Sequence, residues 1–257
     1  ELIESAISPK TKAIMAVHIY GHPAKMDAIL NIAAKHNLAI IEDAAEAHGA
    51  LYKGQRVGNL GNLGCFSFYG NKTITTGEGG MVVTDSPELA EKIKILRDHG
   101  MSLEKKYWHI LLGYNYRMTN LQAALGVAQL EKIDALLAAK DRIAKRYAHG
   151  LENIPGIHLP GNNSWAQRST WLYTIMIIPD QFGKTRDELM DFLKSGQIDA
   201  RPSFPSIHTQ PIYSTGQSLP IAENLSNNGL SLPSSVNLFD SDIDRVTSAI
   251  KTFQTDS

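Results

Sequence analysis

The chain has 257 residues, 43% of them hydrophobic and 20% charged, enough to bury a full core and to divide into two unequal lobes. Its 25 basic residues balance 26 acidic ones, which excludes the basic stripe that neutralises nucleic-acid phosphates and makes nucleic acid an unexpected partner. No apolar run approaches the roughly 20 residues that span a bilayer, so no membrane partner is expected; the single cysteine, Cys65, allows no intrachain disulfide and points to a reducing cytoplasm.

Taken in chain order, residues 1–9 read as a helix followed by a turn and 12–17 as a strand, so the sequence opens within an α/β alternation. Residues 24–36 carry Met26, Ile29, Leu30 and Ala33 on one helical face and lead into an apolar strand at 38–41. That is a β-α-β unit, which makes the two strands parallel. The second strand ends in two carboxylates, Glu42 and Asp43. Residues 54–64, rich in Gly and Asn, form a loop without the strand-then-helix context of a dinucleotide fingerprint. The run CFSF is a strand in which Cys65 reads as a packed core thiol.

A short strand at 81–84 precedes a helix that has Pro87 in its first turn and runs through Leu96. From Thr119 to about His149 an almost unbroken pattern carries Leu121, Ala124, Leu125, Ala128, Leu130, Ile133 and Leu136, and predicts one helix that bridges two lobes. Beyond Pro155 and Gly156 come a strand at 171–178, a helix at 185–194, a strand near 198–201 and a last helix at 241–253; Ser-Asn-Asn-Gly at 226–229 reads as a turn. The expected division is 1–135 for a large domain and 136–257 for a small one, joined by the 119–149 helix.

The candidate chemistry begins at Lys72, in FSFYGNKTITTGEGG, on a loop between an apolar strand and a run of threonines and glycines. A lysine amine is ordinarily a solvated charge, but burial and neighbours that lower its pKa make it a nucleophile toward carbonyls. Asp43, leaving a strand end upstream, changes the balance. An acid at a strand end and a lysine on a later loop suit a pyridoxal 5'-phosphate (PLP) site, the lysine holding the aldehyde and the aspartate keeping the ring nitrogen protonated. His18 and His22 have the i, i+4 spacing of a metal pair on a helix, but Gly21 and Pro23 argue against a helix there and no carboxylate completes the pattern. No metal is expected.

The phrases VHIYGHPAKMD, IEDAAEAHGA, CFSFYGNKTITTGEGG, LRDHGM, YWHILLGYNYRMTNLQAALG and RPSFPSIHTQPIY, which run in order from about Ile14 to Tyr213, resemble the DegT/DnrJ/StrS group of PLP-dependent sugar-nucleotide aminotransferases. The YWH, GYNYRMTN and RPSFPSIHTQPIY stretches are most similar to members that aminate a 4-keto-6-deoxy sugar. The resemblance implies an α/β fold of the aspartate-aminotransferase type (PLP fold type I): a mostly parallel sheet with helices on both faces and a smaller α+β C-terminal lobe. It also implies a further N-terminal segment, with a phosphate-binding turn and an aromatic residue that stacks on the cofactor ring, in the proteins this chain resembles. On that basis the chain is expected to be the C-terminal major part of such an enzyme.

By the same resemblance Lys72 and Asp43 are catalytic and bind the cofactor, with Ala45 against one face of the ring, Glu46 beside its phenolic oxygen, and Ser67 and Asn115 on its phosphate. Asn115 is contributed by the neighbouring subunit and Arg117 helps to fix its loop, so a homodimer with shared sites is implied. Each supporting position has an ordinary alternative: a strand serine bonded to backbone, an unremarkable alanine, a solvated loop carboxylate, a turn asparagine. His99, His109, His208, Arg201, Tyr107 and Trp108 are left between a sugar-nucleotide cleft and purely structural roles. The implied reaction is ping-pong transamination of a keto-deoxy sugar nucleotide with glutamate as donor, Lys72 moving a proton between the donor's α-carbon and C4′ of the cofactor. A PLP-dependent sugar dehydratase of the same fold, disfavoured by the lysine at position 72, and a non-catalytic relative that binds or regulates stay open as alternatives.

Overall fold

A computed structural model describes residues 2–255. Along the first part of the chain the elements are β1 (Ala13–Val17), α1 (Met26–His36), β2 (Ala39–Asp43), β3 (Leu51–Tyr52), β4 (Gln55–Arg56), β5 (Leu63–Ser67), β6 (Gly80–Val83), α2 (Pro87–Arg97) and α3 (Asn120–Leu130). There follow α4 (Ile133–Leu151), β7 (Ile157–His158), β8 (Ala166–Gln167), β9 (Tyr173–Ile177), α5 (Pro179–Phe182), α6 (Arg186–Ser195), β10 (Arg201–Pro202), α7 (Pro220–Asn228), β11 (Gly229–Leu232) and α8 (Asp240–Thr255). The chain divides into two units: one runs to Leu137 and takes in Asn163–Ser169, the other comprises Ala138–Asn162 and Thr170 onward.

The first unit is built on a four-stranded sheet in the order β1-β2-β5-β6, in which β1, β2 and β5 are parallel and β6 runs antiparallel to β5. Helix α1 is the crossover between β1 and β2 and buries Met26, Ile29 and Ala33. It begins with Asp27 and ends with Lys35 and His36, charges that suit the helix dipole, and stops where Asn37 turns left-handed at φ 51°. Helix α2 starts on Pro87 behind Ser86, whose side chain caps the Leu89 amide at 3.2 Å. A second small sheet, β4-β3-β8, brings the later segment Asn163–Ser169 back to this unit, with Trp165 packed 5.4 Å from the Tyr52 ring and 5.5 Å from His22.

The second unit has an antiparallel sheet, β10-β11-β9-β7, packed against α4, α6 and α8. Its core includes the fully buried Ile143, Tyr147, Ile175, Ile177, Leu193 and Ile250, each large apolar side chain contributing about 1.5–3 kcal/mol. Thr185 closes a capping box with Glu188 at the start of α6.

Several expected boundaries shift. The opening helix is a single 3-10 turn at Glu4–Ala6, and Glu1 lies outside the described residues, as do positions 256 and 257 of the expected small domain. The 119–149 helix is two helices: at Lys132 the backbone bond tightens to Gln129, three residues back, and a turn separates α3 from α4. The apolar repeat continues across that turn, so periodicity does not register the break. α3 buries none of its residues, whereas α4 buries Ile143, Tyr147 and Leu151. Residues 226–228 are the last turn of α7 rather than a free turn, and Gly229 already belongs to β11.

Candidate active site

In an open α/β sheet, ligands collect outside the carboxyl ends of parallel strands. Val17, Asp43 and Ser67 end β1, β2 and β5, and they carry with them the loops that hold the candidate residues. Asp43 is the last residue of β2, in register with Val17 of β1 and Cys65 of β5. Its Oδ1 accepts the Ala45 amide at 3.1 Å, a local turn bond that orients the carboxylate, while its carbonyl accepts the His18 amide at 3.0 Å.

Successive residues of a strand face opposite sides, and Glu42 shows it. Its side chain is fully buried: Oε2 accepts from His18 Nε2 at 3.0 Å and from the Gly58 amide at 2.8 Å, and Oε1 accepts the Leu60 and Gly61 amides at 2.6 and 2.7 Å. Burial pushes the Glu42 carboxyl up, but these four donors outweigh it and leave its pKa below the usual value. His18 Nδ1 accepts the Ala24 amide at 3.0 Å, so the proton sits on Nε2 and is donated to Glu42. The two histidines are held apart: His18 clasps Glu42, and His22 donates from Nδ1 to the Pro23 carbonyl at 2.8 Å and meets Asn163 at 3.2 Å. Among the described residues no group of three His, Cys, Asp or Glu is arranged to hold a metal ion.

Lys72 follows β5 on a turn in which its amide bonds the Tyr69 carbonyl at 3.0 Å. Its side chain is 10% exposed and its Nζ lies 3.9 Å from Oε1 of Glu46, itself 13% exposed. Burial lowers the Lys72 pKa, against the opposing pull of Glu46 and Asp43. Burial raises that of Glu46, whose other oxygen takes the Tyr20 amide at 2.6 Å. The loop that supplies this amide is tight: Tyr20 has φ 52°, and Gly21 has φ +79° with no room for a Cβ beside the Ser169 carbonyl oxygen. The structure therefore gathers Lys72, Glu46, Asp43 and, through its amide, Ala45. The Ser67 hydroxyl at the end of β5 accepts the Tyr69 amide at 3.2 Å, leaving its own proton to donate.

His48 is a member of this neighbourhood that the sequence pattern did not mark. It is 4% exposed, its ring packs 5.6 Å from Phe66 and 6.0 Å from Phe68, and neither ring nitrogen has a hydrogen-bond partner. Burial first, then the charge of Lys72, drives its pKa down to about 4, so the imidazole is neutral at ordinary pH.

Asn115 is not gathered with Lys72. It bridges to Asp98 across an irregular hairpin, where Arg117 also reaches Asp98 at 3.2 Å, and it lines an open cavity of about 830 Å³ with Cys65, Phe66, Glu78 and Arg117 but without Lys72, Glu46 or Asp43. Cys65 is half-buried there rather than sealed in the core, its thiol pushed up by burial and by Asp43. His99 bonds Asp98 at 3.0 Å, and His109 donates to the His99 carbonyl at 2.9 Å. In the second unit His208 meets Glu223 at 2.9 Å, and Arg201, exposed, meets Asp199 at 3.2 Å. Tyr107 and Trp108 are exposed rather than core residues, with the Lys106 and Lys105 ammonium groups 4.9 and 4.1 Å from their rings.

The donor set fits PLP: a dry amine of lowered pKa, a carboxylate oriented at a strand end beside it, and a hydroxyl with a proton to give to a phosphate. Comparison with known proteins agrees. The model of the DegT/DnrJ/EryC1/StrS aminotransferase family matches residues 1–251. The chain is 44% identical over 256 residues to GDP-perosamine synthase of Caulobacter vibrioides, covering 96% of this chain and 67% of that protein. It is 42% identical to GDP-perosamine synthase of Escherichia coli O157:H7, covering 99% of this chain and 69% of that one. Among solved structures, Streptomyces venezuelae DesV superposes with a TM-score of 0.91 at 38% identity, covering 99% of this chain and 68% of that one. The Helicobacter pylori aminotransferase PseC gives 0.93 at 27%, with 99% and 70% covered. The chain thus spans about two thirds of the length of these relatives. It belongs to the DegT/DnrJ/EryC1/StrS family and is a PLP-dependent sugar aminotransferase of fold type I, as its motifs led us to expect.

Proposed function

We propose that the enzyme transfers an amino group from glutamate to the 4-keto carbon of GDP-4-keto-6-deoxymannose, giving GDP-perosamine for surface polysaccharide synthesis in the cytoplasm. The observation that carries this reading is the Lys72, Glu46 and Asp43 cluster in a chain 44% and 42% identical to two GDP-perosamine synthases.

Bound PLP supplies an electron sink for the carbanion formed at the donor's α-carbon. Lys72 would hold the cofactor at its aldehyde carbon, and its amine, when free, would be the group placed to take and return a proton at the donor's α-carbon. Burial lowers its pKa and so favours the neutral amine that both tasks need. Asp43, oriented by the Ala45 amide, would keep the ring nitrogen protonated, and the small Ala45 would leave room beside the ring. Glu46, held by the Tyr20 amide, would face the cofactor's phenolic oxygen. Ser67 binds the phosphate together with Asn115 of a second subunit, so two chains complete each site.

The test uses the full-length protein. With PLP bound it should show a visible absorbance band that is lost on adding glutamate, and GDP-4-keto-6-deoxymannose should restore the band with formation of GDP-perosamine, read by mass spectrometry. Lys72→Ala should abolish band and turnover while the melting temperature stays within a few degrees of the parent. A variant that keeps near-normal turnover overturns the role of Lys72. Equal turnover of other keto-sugar nucleotides overturns the choice of sugar.

A further inference from the structure

Lys72 sits on a loop whose neck is tied locally: Phe68 O accepts both the Thr75 hydroxyl at 3.0 Å and the Thr76 amide at 2.9 Å. Local bonds close the loop but do not anchor it. Helix α3 does so from outside. The Gln129 carboxamide pairs with the backbone of Thr75 in both directions, its Oε1 accepting the Thr75 amide at 3.0 Å and its Nε2 donating to the Thr75 carbonyl at 3.0 Å. Two turns earlier, Gln122 Nε2 donates to the Glu78 carbonyl at 3.0 Å. Between them a Cβ on Gly126 would lie 3.0 Å from Cγ2 of Thr76, so only glycine lets the helix lie this close without a shift.

Positions 122, 126 and 129 fall at i, i+4 and i+7, one face of one helix. Gln122 also serves the helix itself: its Oε1 accepts the Thr119 amide at 2.8 Å and closes the capping box. Glutamate would cap as well, but it has no amide proton for the Glu78 carbonyl. Nothing in helix formation calls for a carboxamide at 129, because a side-chain amide pairing with a backbone amide in both directions imitates one rung of a β-ladder and holds the loop in register.

We propose that the Gln122, Gly126 and Gln129 face of α3 is the device that positions Lys72, acting through Thr75 and Glu78 and touching neither cofactor nor substrate. The proposal rests on the reading that Lys72 carries the chemistry.

The experiment compares Gln129→Met, which loses both bonds to Thr75, with Gln129→Glu, which keeps only the acceptor, and with Lys72→Ala. In the cofactor-free full-length protein, amide hydrogen exchange in the peptide spanning 69–80 should quicken about tenfold in Gln129→Met, with other peptides unchanged. In the PLP-loaded protein kcat should fall roughly 10- to 100-fold, with KM for glutamate within about threefold of the parent and Gln129→Glu intermediate. Normal exchange with normal kcat in Gln129→Met overturns the proposal, and so does exchange that quickens across the whole protein. Failure of the reading on which it rests is separate: Lys72→Ala would then keep the visible band whatever Gln129→Met did.

Discussion

At the scale of single residues the site is governed by desolvation. Lys72 and Glu46 are both pushed toward neutrality by burial and partly restored by each other, whereas His48 has no opposite charge to restore it. Its pKa of about 4 lies below the ordinary 6.5, so between those values the unfolded chain binds a proton that the folded one refuses. Stability is then full above pH 6.5 and falls as pH drops toward 4, by about 3 kcal/mol for a shift of this size. His48→Leu removes the titration and leaves an apolar side chain against Phe66 and Phe68. Urea denaturation at a series of pH values should show the variant as stable as the parent or more so at pH 7, with the decline between pH 6.5 and 4 reduced. An unchanged acid limb would mean that the ring is solvated. The lysine and the aspartate stood out in the sequence as candidates because residue type and a strand-then-loop context mark them. The histidine was not, because its burial depends on Phe66 and Phe68, about 20 residues away and across a strand.

At the scale of elements the end of β2 shows what pairing does to two adjacent acids. Both were visible as carboxylates at a strand end, but only alternation separates their fates: Asp43 turns to the Lys72 side and Glu42 to His18 and the 58–61 loop. The partners of Glu42 are 16 to 24 residues distant and include three backbone amides, which have no signature in sequence. Glu42→Gln turns an amide NH2 toward donors whichever way it is flipped, since each carboxylate oxygen already accepts two. The expected loss is about 3 kcal/mol, measured by urea denaturation at pH 7. The sign of its pH dependence agrees: a carboxyl held below its usual pKa stabilises the fold above pH 4.5 and loses that contribution on acidification, so the gap between parent and variant should narrow below that pH. The break between α3 and α4 has the same lesson in reverse. The apolar repeat runs through Glu131 and Lys132 unbroken, and only the shortened bond at Lys132 marks the turn.

At the scale of the whole molecule, the parallel strands and their crossover follow from alternation and helix periodicity, whereas the return of Asn163–Ser169 to the first unit does not, since it depends on two-residue strands too short to carry a pattern. The first unit also leaves Leu112, Leu121, Tyr107 and Tyr116 at least 74% exposed, on the segment that holds Asn115 and on α3. Large apolar side chains clustered along one stretch of chain suit a subunit interface. Asn115 lines a cavity whose lining does not include Lys72, an arrangement expected if it serves a second subunit's site. A mixing experiment decides the matter. Lys72→Ala and Asn115→Ala proteins, each of low activity alone, are unfolded together and refolded as a mixture. If each site takes Lys72 from one chain and Asn115 from the other, a mixed dimer has one site with both substitutions and one with neither. Random pairing makes half the dimers mixed, so activity should return to roughly a quarter of the parent. If Asn115 serves its own chain, every site in the mixed dimer carries one substitution, and activity stays at the mean of the two variants.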